Sequence, residues 1–308
     1  MPRRGRFEAL QFVSADVGAF SLALTGRALR PYQLAAARAI VRSVLARQGR
    51  TFTVMMARQM GKNELSAQLE AYLLFLHQRA GGTIVKAAPT FKPQLVTSKL
   101  RLERVLAHLP AGSGRRQARF GYIVQLGEAA IHFLSAEESS NVVGATADLL
   151  LEIDEAQDVS EDKFAKDFRP MASTANTTTV LYGTAWSSDT MLARQRAANL
   201  RDDPSAHFEF PWTVLAALSP DYQAFVGAEI RRLGEDHPIV RTQYRLETVD
   251  AAGRLFGPDQ LALLQGTHPR LASPEDEDGG LFVAGVDIAG EGEELPDVVA
   301  RGRQPRKD

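Results

Sequence analysis

The sequence contains no cysteine, only two tryptophans and no long apolar run. Without thiols the chain has neither a disulfide scaffold nor a cysteine-ligated metal site, which fits a reducing compartment. No apolar segment approaches the ~18 residues of a membrane span. The basic N-terminus is not followed by the apolar stretch that a signal peptide would have there. The six histidines are scattered without metal-binding spacing. The 308 residues therefore suit an ordinary globular protein of roughly two domains.

Charge is balanced in total but unevenly distributed along the chain. The 36 basic and 37 acidic residues give a net charge of −1. Residues 1–50 hold nine arginines against two acids, whereas residues 275–297 hold nine acids and no base. A second basic segment spans residues 99–119. This asymmetry suggests a basic surface for a polyanion and a separate acidic site, although solvated helix faces would produce the same pattern.

Apolar runs alternate with amphipathic segments through the first two thirds of the chain. The pattern predicts strands at 51–57, 83–89, 147–153 and 177–185, and helices at 31–47, 61–79 and 92–109. We expect a loop at 110–119 and a hairpin formed by 119–126 and 129–136. Strands alternating with helices predict an α/β fold, with a mainly parallel sheet flanked by helices.

The last third of the sequence has a different pattern. Residues 219–250 are helical and mixed, 273–280 resemble a linker, and 281–290 form a new apolar strand. A lone strand cannot form a domain, so we expect the chain to end just inside a second domain. The expected divisions are 1–30, 31–215, 216–272 and 273–308.

The sharpest local feature is a phosphate-binding pattern after the strand at 51–57. Residues 58–63 lead directly into a helix, whose first backbone N–H groups and dipole favour an anion. Gly61 permits close approach of the backbone, and Lys62 supplies a positive charge to the β- and γ-phosphates. Met56 stands where a P-loop has its first glycine, and Asn63 replaces the Ser/Thr that ligates Mg²⁺. Alone, a Gly-Lys pair before a helix is a weak signal, and it is more often the N-terminus of an ordinary helix.

Two further strand ends support the nucleotide interpretation. Asp154 and Glu155 follow an apolar run, so Asp154 can hold Mg²⁺ and Glu155 can activate water for attack on the γ-phosphate. Thr184 ends the following strand, at the edge where ligands bind in open α/β sheets. Its hydroxyl could sense the γ-phosphate. Together with Lys62, these residues predict nucleotide hydrolysis.

With these motifs in order, the chain resembles the large terminase subunit of tailed bacteriophages, a P-loop ATPase of the additional-strand, catalytic-glutamate class. The resemblance implies a Q motif at 30–33, a Walker A loop at 57–62, a Walker B motif at 154–157 and a coupling motif at 183–185. The nucleotide-binding residues it implies are Tyr32, Gln33, Arg58, Gln59, Met60, Gly61, Lys62, Asn63, Asp154 and Thr184. Lys62 and Arg58 would clamp the phosphates, and Glu155 would be the catalytic carboxylate.

The C-terminal residues resemble the boundary between the two domains of that family. Residues 243–247 and 253–256 look like the segment before the nuclease, and 286–290 look like the first strand of an RNase H-like nuclease domain. Asp287 would be its first metal carboxylate, with Mg²⁺ or Mn²⁺. Such a site needs several carboxylates, so we expect DNA cleavage only from a longer chain.

Two residues depart from the family pattern. Asn63 stands where Thr or Ser is usual, and Val143 stands where many relatives have an arginine that acts on a neighbouring subunit. An arginine finger is worth roughly 10³–10⁵ in rate, so a substitute is expected. Arg58 could act within its own subunit. Alternatively, one of several other arginines could act across a subunit boundary, bind DNA phosphates or only solvate a surface: Arg101, Arg104, Arg115, Arg116 or Arg119.

The function implied by the resemblance is ATP hydrolysis that moves double-stranded viral DNA into a procapsid. Its cofactors would be ATP and Mg²⁺, organised by Asp154 and Asn63. The implied partners are double-stranded DNA, a portal protein and a small terminase subunit, with no membrane association. Several copies would form a ring on the portal protein in the host cytoplasm, and a monomer in solution is the alternative away from it. A nucleic-acid helicase or translocase, and a non-catalytic packaging-assembly subunit, are the alternatives.

Overall fold

The computed structural model describes residues 15–109, 113–142 and 144–249. The chain divides into two compact units, Met1–Gly257 and Pro258–Asp308. The second unit lies wholly outside the described residues, and so do Asp287, the predicted strand at 281–290 and Val143.

The described residues form an α/β fold built on one eight-stranded sheet, as predicted. The strands are β1 (Thr51–Met56), β2 (Gly82–Ala88), β3 (Arg116–Arg119), β4 (Ile123–Leu126), β5 (Ala129–Ser135), β6 (Leu150–Ile153), β7 (Thr178–Gly183) and β8 (His207–Phe210). Their order across the sheet is β3-β4-β5-β2-β6-β7-β1-β8. All neighbours pair in parallel except β3 with β4 and β4 with β5, which are antiparallel.

Helices cover the sheet. The α-helices are α1 (Val17–Thr25), α2 (Pro31–Leu45), α3 (Lys62–His77), α4 (Val96–Ala107), α5 (Glu161–Lys163), α6 (Met191–Asp202), α7 (Trp212–Ala216) and α8 (Pro220–Leu233). Shorter helical turns span Phe91–Leu95, Ala156–Asp158, Phe164–Phe168, Arg169–Ala172, Pro204–Ala206 and Val240–Arg245. Within the described ranges, no helix is long and apolar enough to cross a bilayer.

The central strands are apolar because both faces of a parallel sheet are covered. All residues of β6 and β7 are buried, and so are all residues of β1 after Thr51. Strand β5 instead alternates between buried and partly exposed positions, as expected where one face is less covered. The sequence pattern therefore located the middle of the sheet well.

The two outer strands of the sheet were not predicted. The expected loop at 110–119 is wrong for Arg116–Arg119, which pairs with β4 through Gln117 opposite Gln125. Strand β8 pairs with β1 through Phe208 opposite Val54. Edge strands have a neighbour on one side only, so β3 lacks the apolar run that marks a central strand.

Contacts cross two of the expected domain divisions. The rings of Phe20 on α1 and Tyr72 on α3 meet edge to face at 5.2 Å. The Tyr222 hydroxyl on α8 donates a hydrogen bond of 2.6 Å to the carbonyl oxygen of Arg58. Residues on both sides of positions 30 and 215 therefore pack together. That the parts on either side of these positions differ in function stays a prediction.

A buried polar cluster joins α3 to the middle of the sheet. The ammonium of Lys86, on β2, is 2.7 Å from Glu70 Oε1 and 2.6 Å from Ser66 Oγ, both on α3. Ser66 donates to Glu152 Oε1 of β6 at 3.1 Å, and the Tyr182 hydroxyl of β7 donates to the same oxygen at 2.9 Å. All five side chains are buried. The cluster thus ties one helix to three adjacent strands.

The charges of this cluster are unequal in their effect. Burial alone lowers the pKa of Lys86, but the charges of Glu70 and Glu152 outweigh it and hold that pKa above its usual value. Burial, together with the nearby charge of Glu70, raises the pKa of Glu152 well above 4.5. Glu152 is therefore protonated up to a higher pH than an exposed glutamate, and Glu70 is the carboxylate in direct contact with the Lys86 ammonium.

The cluster predicts different consequences for two similar substitutions. Glu70→Gln leaves the buried ammonium of Lys86 without its balancing charge, so we expect it to lower the free energy of unfolding by about 3 kcal/mol or more. Glu152 makes no ion pair with Lys86, and its raised pKa means that its charged form is disfavoured, so Glu152→Gln should change the free energy of unfolding by about 1 kcal/mol or less. Urea unfolding of both variants measures the difference, and equal losses would contradict the different roles of the two carboxyl groups.

The same pair predicts a dependence on pH. The folded-state pKa of Glu152 lies above the usual 4.5. Its stabilising contribution is therefore complete below pH 4.5 and is lost as the pH rises through the folded-state pKa. Glu152→Gln lacks this loss, so its Tm relative to the wild type should increase from pH 5 to pH 9. A constant difference would contradict the raised pKa.

Candidate functional site

A cavity of about 690 Å³ opens at the end of the sheet where β1, β6 and β7 finish. Its wall contains most of the residues singled out from the sequence: Arg58, Gln59, Met60, Gly61, Lys62, Asn63, Glu155 and Thr184. Gln157 of the predicted Walker B motif and Arg101, one of the candidate catalytic arginines, line it as well. Residues that the sequence did not assign to the site complete the wall: Glu64, Gln94, Asp158, Trp186, Ile239 and Gln243. The volume is within the range of ligand pockets.

The loop between β1 and α3 has the tight backbone that phosphate binding requires. Gln59 and Gly61 both lie in the left-handed region, with φ of 63° and 87°. At Gly61 a Cβ would stand 2.6 Å from Gln33 Nε2, so only glycine fits without a shift of that side chain. Helix α3 begins at Lys62. The N–H groups of Glu64 and Leu65 bond to the carbonyl oxygen of Gly61, whereas those of Lys62 and Asn63, at the very start of the helix, have no acceptor within it and can bind an anion.

Tyr32 and Gln33 contact this loop from behind. The Tyr32 hydroxyl donates to the carbonyl oxygen of Met60 at 2.7 Å, and Gln33 Nε2 donates to that of Gly61 at 3.0 Å. Both side chains are buried, and neither is part of the cavity wall described above. The structure thus gives both residues a role in holding the loop, and their contact with adenine stays a prediction.

Lys62 lies between the two carboxylates that follow β6. Its ammonium is 2.5 Å from Glu155 Oε1 and 3.4 Å from Asp154 Oδ1. Burial lowers the pKa of Lys62, but the charges of Asp154 and Glu155 outweigh it, so the pKa lies above its usual value. Lys62 is therefore fully charged at neutral pH, and the structure brings together the three residues on which nucleotide hydrolysis was predicted.

Arg58 is held by its main chain and leaves its side chain exposed. Its N–H donates to the carbonyl oxygen of Gln243 at 2.9 Å, and its own carbonyl oxygen accepts the Tyr222 hydroxyl at 2.6 Å. Tyr222 and Gln243 lie more than 160 residues along the chain from the loop. No local sequence signal links Tyr222 to the loop.

A hydrogen-bonded path connects Glu155 to the segment at Val240–Arg245. Gln157 Nε2 donates to Glu155 Oε2 at 2.9 Å, and Gln157 Oε1 accepts the N–H of Thr184 at 3.2 Å. Gln243 Nε2 then donates to Thr184 Oγ1 at 3.2 Å. Because these contacts are continuous, a change at the carboxylate can alter the position of Gln243.

Asn63 and Asp154, the two residues predicted to hold magnesium, both present an oxygen atom of the kind that the ion prefers. The Asn63 Oδ1 atom is buried and has no hydrogen-bond partner in the part of the chain that the structure describes. Asp154 Oδ1 accepts a hydrogen bond of 3.1 Å from the Glu155 N–H and lies 3.4 Å from the Lys62 ammonium. Mg²⁺ prefers oxygen ligands, and it is usually bound through one or two protein groups plus phosphates and water. These two residues could supply the protein ligands.

The basic residues of segment 99–119 separate into two groups. Arg101 lines the cavity, and its Nη1 is 3.1 Å from Glu64 Oε2. The others do not line the cavity: Arg104, Arg115, Arg116 and Arg119. Sequence position alone could not separate these groups, because α4 extends from the cavity toward β3.

Comparison with known proteins identifies the fold. No family model and no curated protein matches the chain. Among solved structures, the large terminase ATPase domain of Thermus phage P74-26 has a TM-score of 0.57 and 20% identity, over 74% of this chain and 97% of that domain. A large terminase of a thermophilic bacteriophage in complex with ADP has a TM-score of 0.55 and 13% identity. That match covers 71% of this chain and 53% of the phage protein. The chain therefore has the fold of large terminase ATPase domains.

The geometry at Gly61 predicts coupling between two substitutions. Gly61→Ala introduces a Cβ 2.6 Å from Gln33 Nε2 at a left-handed position, and it should destabilise the protein by about 2 kcal/mol or more. In a Gln33→Ala background only the backbone strain remains, so the further loss should be about 1 kcal/mol. A double-mutant cycle by urea unfolding measures the coupling, and strictly additive losses would contradict the contact.

Proposed function

We propose that this chain is the ATP-hydrolysing motor part of a phage large terminase, which drives double-stranded DNA into a procapsid. The observation that carries the proposal is the Lys62–Glu155 pair at 2.5 Å in the cavity, within the fold of large terminase ATPase domains. A similar terminase has been solved with ADP and with ATP-gamma-S, which supports nucleotide binding at this cavity.

Binding of ATP exchanges the partners of Lys62. The loop N–H groups and the Lys62 ammonium take the phosphates, so Glu155 loses its ion pair. Glu155 still accepts a hydrogen bond from Gln157 at 2.9 Å, which holds its carboxylate in place. Once released from Lys62, the carboxylate can accept a proton from water and orient that water toward the γ-phosphate.

Asn63 and Asp154 hold the magnesium ion in this proposal. The bound ion would neutralise charge on the β- and γ-phosphates. The buried Oδ1 of Asn63 gives the amide a partner-free oxygen in place of the usual hydroxyl. The departure at Asn63 is thus compatible with an active site.

Thr184 passes the state of the phosphates to the rest of the chain. Its N–H is bound to Gln157 and its hydroxyl to Gln243. Gln243 in turn accepts the Arg58 N–H through its carbonyl oxygen. Loss of the γ-phosphate would therefore reach Gln243 both through its side chain, from Thr184, and through its main chain, from Arg58.

A basic surface on the far side of α4 is the proposed DNA contact. We call it the hairpin surface; it consists of Arg104, Arg115, Arg116, Arg119 and Phe120, all of them exposed. None of its four arginines has an ion-pair partner among the described residues, and Phe120 at the hairpin tip is 81% exposed. Exposed arginines without acidic partners among the described residues, close together at one edge of the sheet, suit the phosphate backbone of DNA.

The wider assembly is also a proposal. A portal protein, a small terminase subunit and a ring of copies in the host cytoplasm follow from the same assignment. A helicase would separate the strands of a tailed duplex, whereas a packaging motor would not. A non-catalytic assembly subunit would show neither magnesium-dependent turnover nor stabilisation by ATP.

The role proposed for Glu155 is open to a direct test. Glu155→Gln should lower Mg²⁺-dependent ATP turnover by about 10²–10⁴-fold, because the amide cannot accept a proton from water. ATP should still raise the Tm of this variant, since Lys62 and the loop are intact. Glu138→Gln, at an exposed site outside the cavity, is the matched control. Turnover by Glu155→Gln equal to that of the wild type would refute the assignment.

A second prediction concerns the hairpin surface. Replacing Arg115, Arg116 and Arg119 together by alanine should weaken binding to duplex DNA irrespective of its sequence. Each phosphate contact contributes about 0.9 to the slope of log K against log salt concentration, so the slope should become shallower by about 2 to 3. Fluorescence anisotropy between 50 and 200 mM salt measures this slope.

The control for this experiment removes the same charge elsewhere. Arg201 on α6 and Arg231 and Arg232 on α8 are exposed and lie outside the hairpin surface. Their triple alanine variant should retain the wild-type slope. If both triple variants change the slope equally, the chain binds DNA through its total charge, and the hairpin surface has no special role.

A further inference from the structure

We propose that Arg101 is a catalytic arginine that binds the terminal phosphate of ATP within its own subunit, and that Glu64 holds it when no nucleotide is bound. This inference rests on the proposed function. Arg101 lies on α4, and its Nη1 is 3.1 Å from Glu64 Oε2, two residues beyond Lys62. Both side chains line the same cavity as Lys62 and Glu155.

The order of strands places Arg101 at the phosphate end of the cavity. Tyr32 packs against Phe210 of β8, with ring centroids 5.2 Å apart, so the Q motif lies beyond β1. Strands β7 and β6, which carry Thr184 and Glu155 at their ends, come next, followed by β2. Arg101 is on the helix after β2. It therefore lies on the carboxylate side of Lys62, opposite the Q motif.

The ion pair with Glu64 does not use every N–H group of the Arg101 guanidinium. Its Nε is buried and has no hydrogen-bond partner within the described ranges, while its side chain as a whole is 37% exposed. A buried N–H without an acceptor is unfavourable by about 1–3 kcal/mol. A phosphate oxygen would satisfy it, and the planar guanidinium binds phosphate through two N–H groups at once.

Glu64 is suited to release Arg101. Its Oε1 already accepts a hydrogen bond of 2.9 Å from Gln68 Nε2, so the carboxylate stays in place when the arginine leaves. Phosphate groups carry more negative charge than a single carboxylate. The entry of ATP thus transfers Arg101 from Glu64 to phosphate, in the same way that it transfers Lys62 from Glu155.

The other arginines are less suited to this role. The four arginines of the hairpin surface do not line the cavity. Arg58 does line it, but its side chain is exposed and lies at the start of the loop, where it can clamp the phosphates from outside. Arg101 therefore compensates for the absence of an arginine at position 143, and it does so without a neighbouring subunit.

Steady-state ATP turnover tests the inference. Arg101→Ala should lower kcat by about 10³-fold, while KM changes much less. ATP-gamma-S should stabilise the variant less than it stabilises the wild type, whereas ADP should raise the Tm of both proteins equally. Loss of kcat below tenfold, or equal weakening with both nucleotides, would overturn the role at the terminal phosphate.

Two variants separate catalysis from structure. Lys99→Ala removes one positive charge from the same helix, where Lys99 pairs with Glu103 outside the cavity, and should keep the wild-type kcat. Glu64→Gln breaks the ion pair but keeps an acceptor for Gln68. If Arg101 serves only to hold Glu64, Glu64→Gln and Arg101→Ala lose activity equally. We expect the loss in Arg101→Ala to be at least tenfold larger.

A mixing experiment distinguishes action within the subunit from action across an interface. Arg101→Ala retains Glu155, and Glu155→Gln retains Arg101. If Arg101 acted on a neighbour, an equimolar mixture would recover turnover. We expect a mixture no more active than the sum of its components. Wild-type turnover that depends on Glu155 but not on Arg101 would refute this inference alone, whereas absence of wild-type turnover and of stabilisation by ATP-gamma-S would refute both proposals.

Discussion

A single buried ammonium group, that of Lys86, determines how α3 lies on the sheet. It needs a carboxylate, and Glu70 on α3 supplies one at 2.7 Å. Ser66, one helical turn earlier, donates a hydrogen bond to Glu152 of β6. Lys62 is the first residue of the same helix, and Glu155 follows β6. The buried cluster therefore fixes the separation of the ammonium and carboxylate in the cavity, because both lie on elements that it joins.

The sequence was most informative where both faces of a strand are covered. Strands β1, β6 and β7 are continuous apolar runs, so their place in the centre of a sheet could be predicted together with the polar residues at their ends. Strand β3 has no such run, and its pairing is set by its partner β4 and not by its own composition. The edges of the sheet therefore could not be derived from periodicity.

The site was predictable to the same extent. Lys62, Asp154, Glu155 and Thr184 follow strands at one edge of a sheet, and a local pattern is enough to bring them together. Long-range contacts were not accessible in this way. Tyr222 contacts Arg58 because α8 packs against the loop between β1 and α3. Arg101 lines the cavity because of the position of α4, which no local pattern gives. The Q motif shows the same limit. The contact that the structure shows for Gln33 is with the loop at Gly61, and its predicted contact with the adenine base stays a prediction.

The arginines of β3 have a consequence for how copies of this chain can associate. An outer strand exposes unpaired backbone groups and can pair with an identical strand of another molecule. On β3 the exposed side chains include Arg116 and Arg119, so two such edges brought together would face each other with like charges. This repulsion disfavours continuation of the sheet from one copy to the next. Association of two copies edge to edge through β3 is therefore unfavourable compared with association through surfaces that carry less charge of one sign.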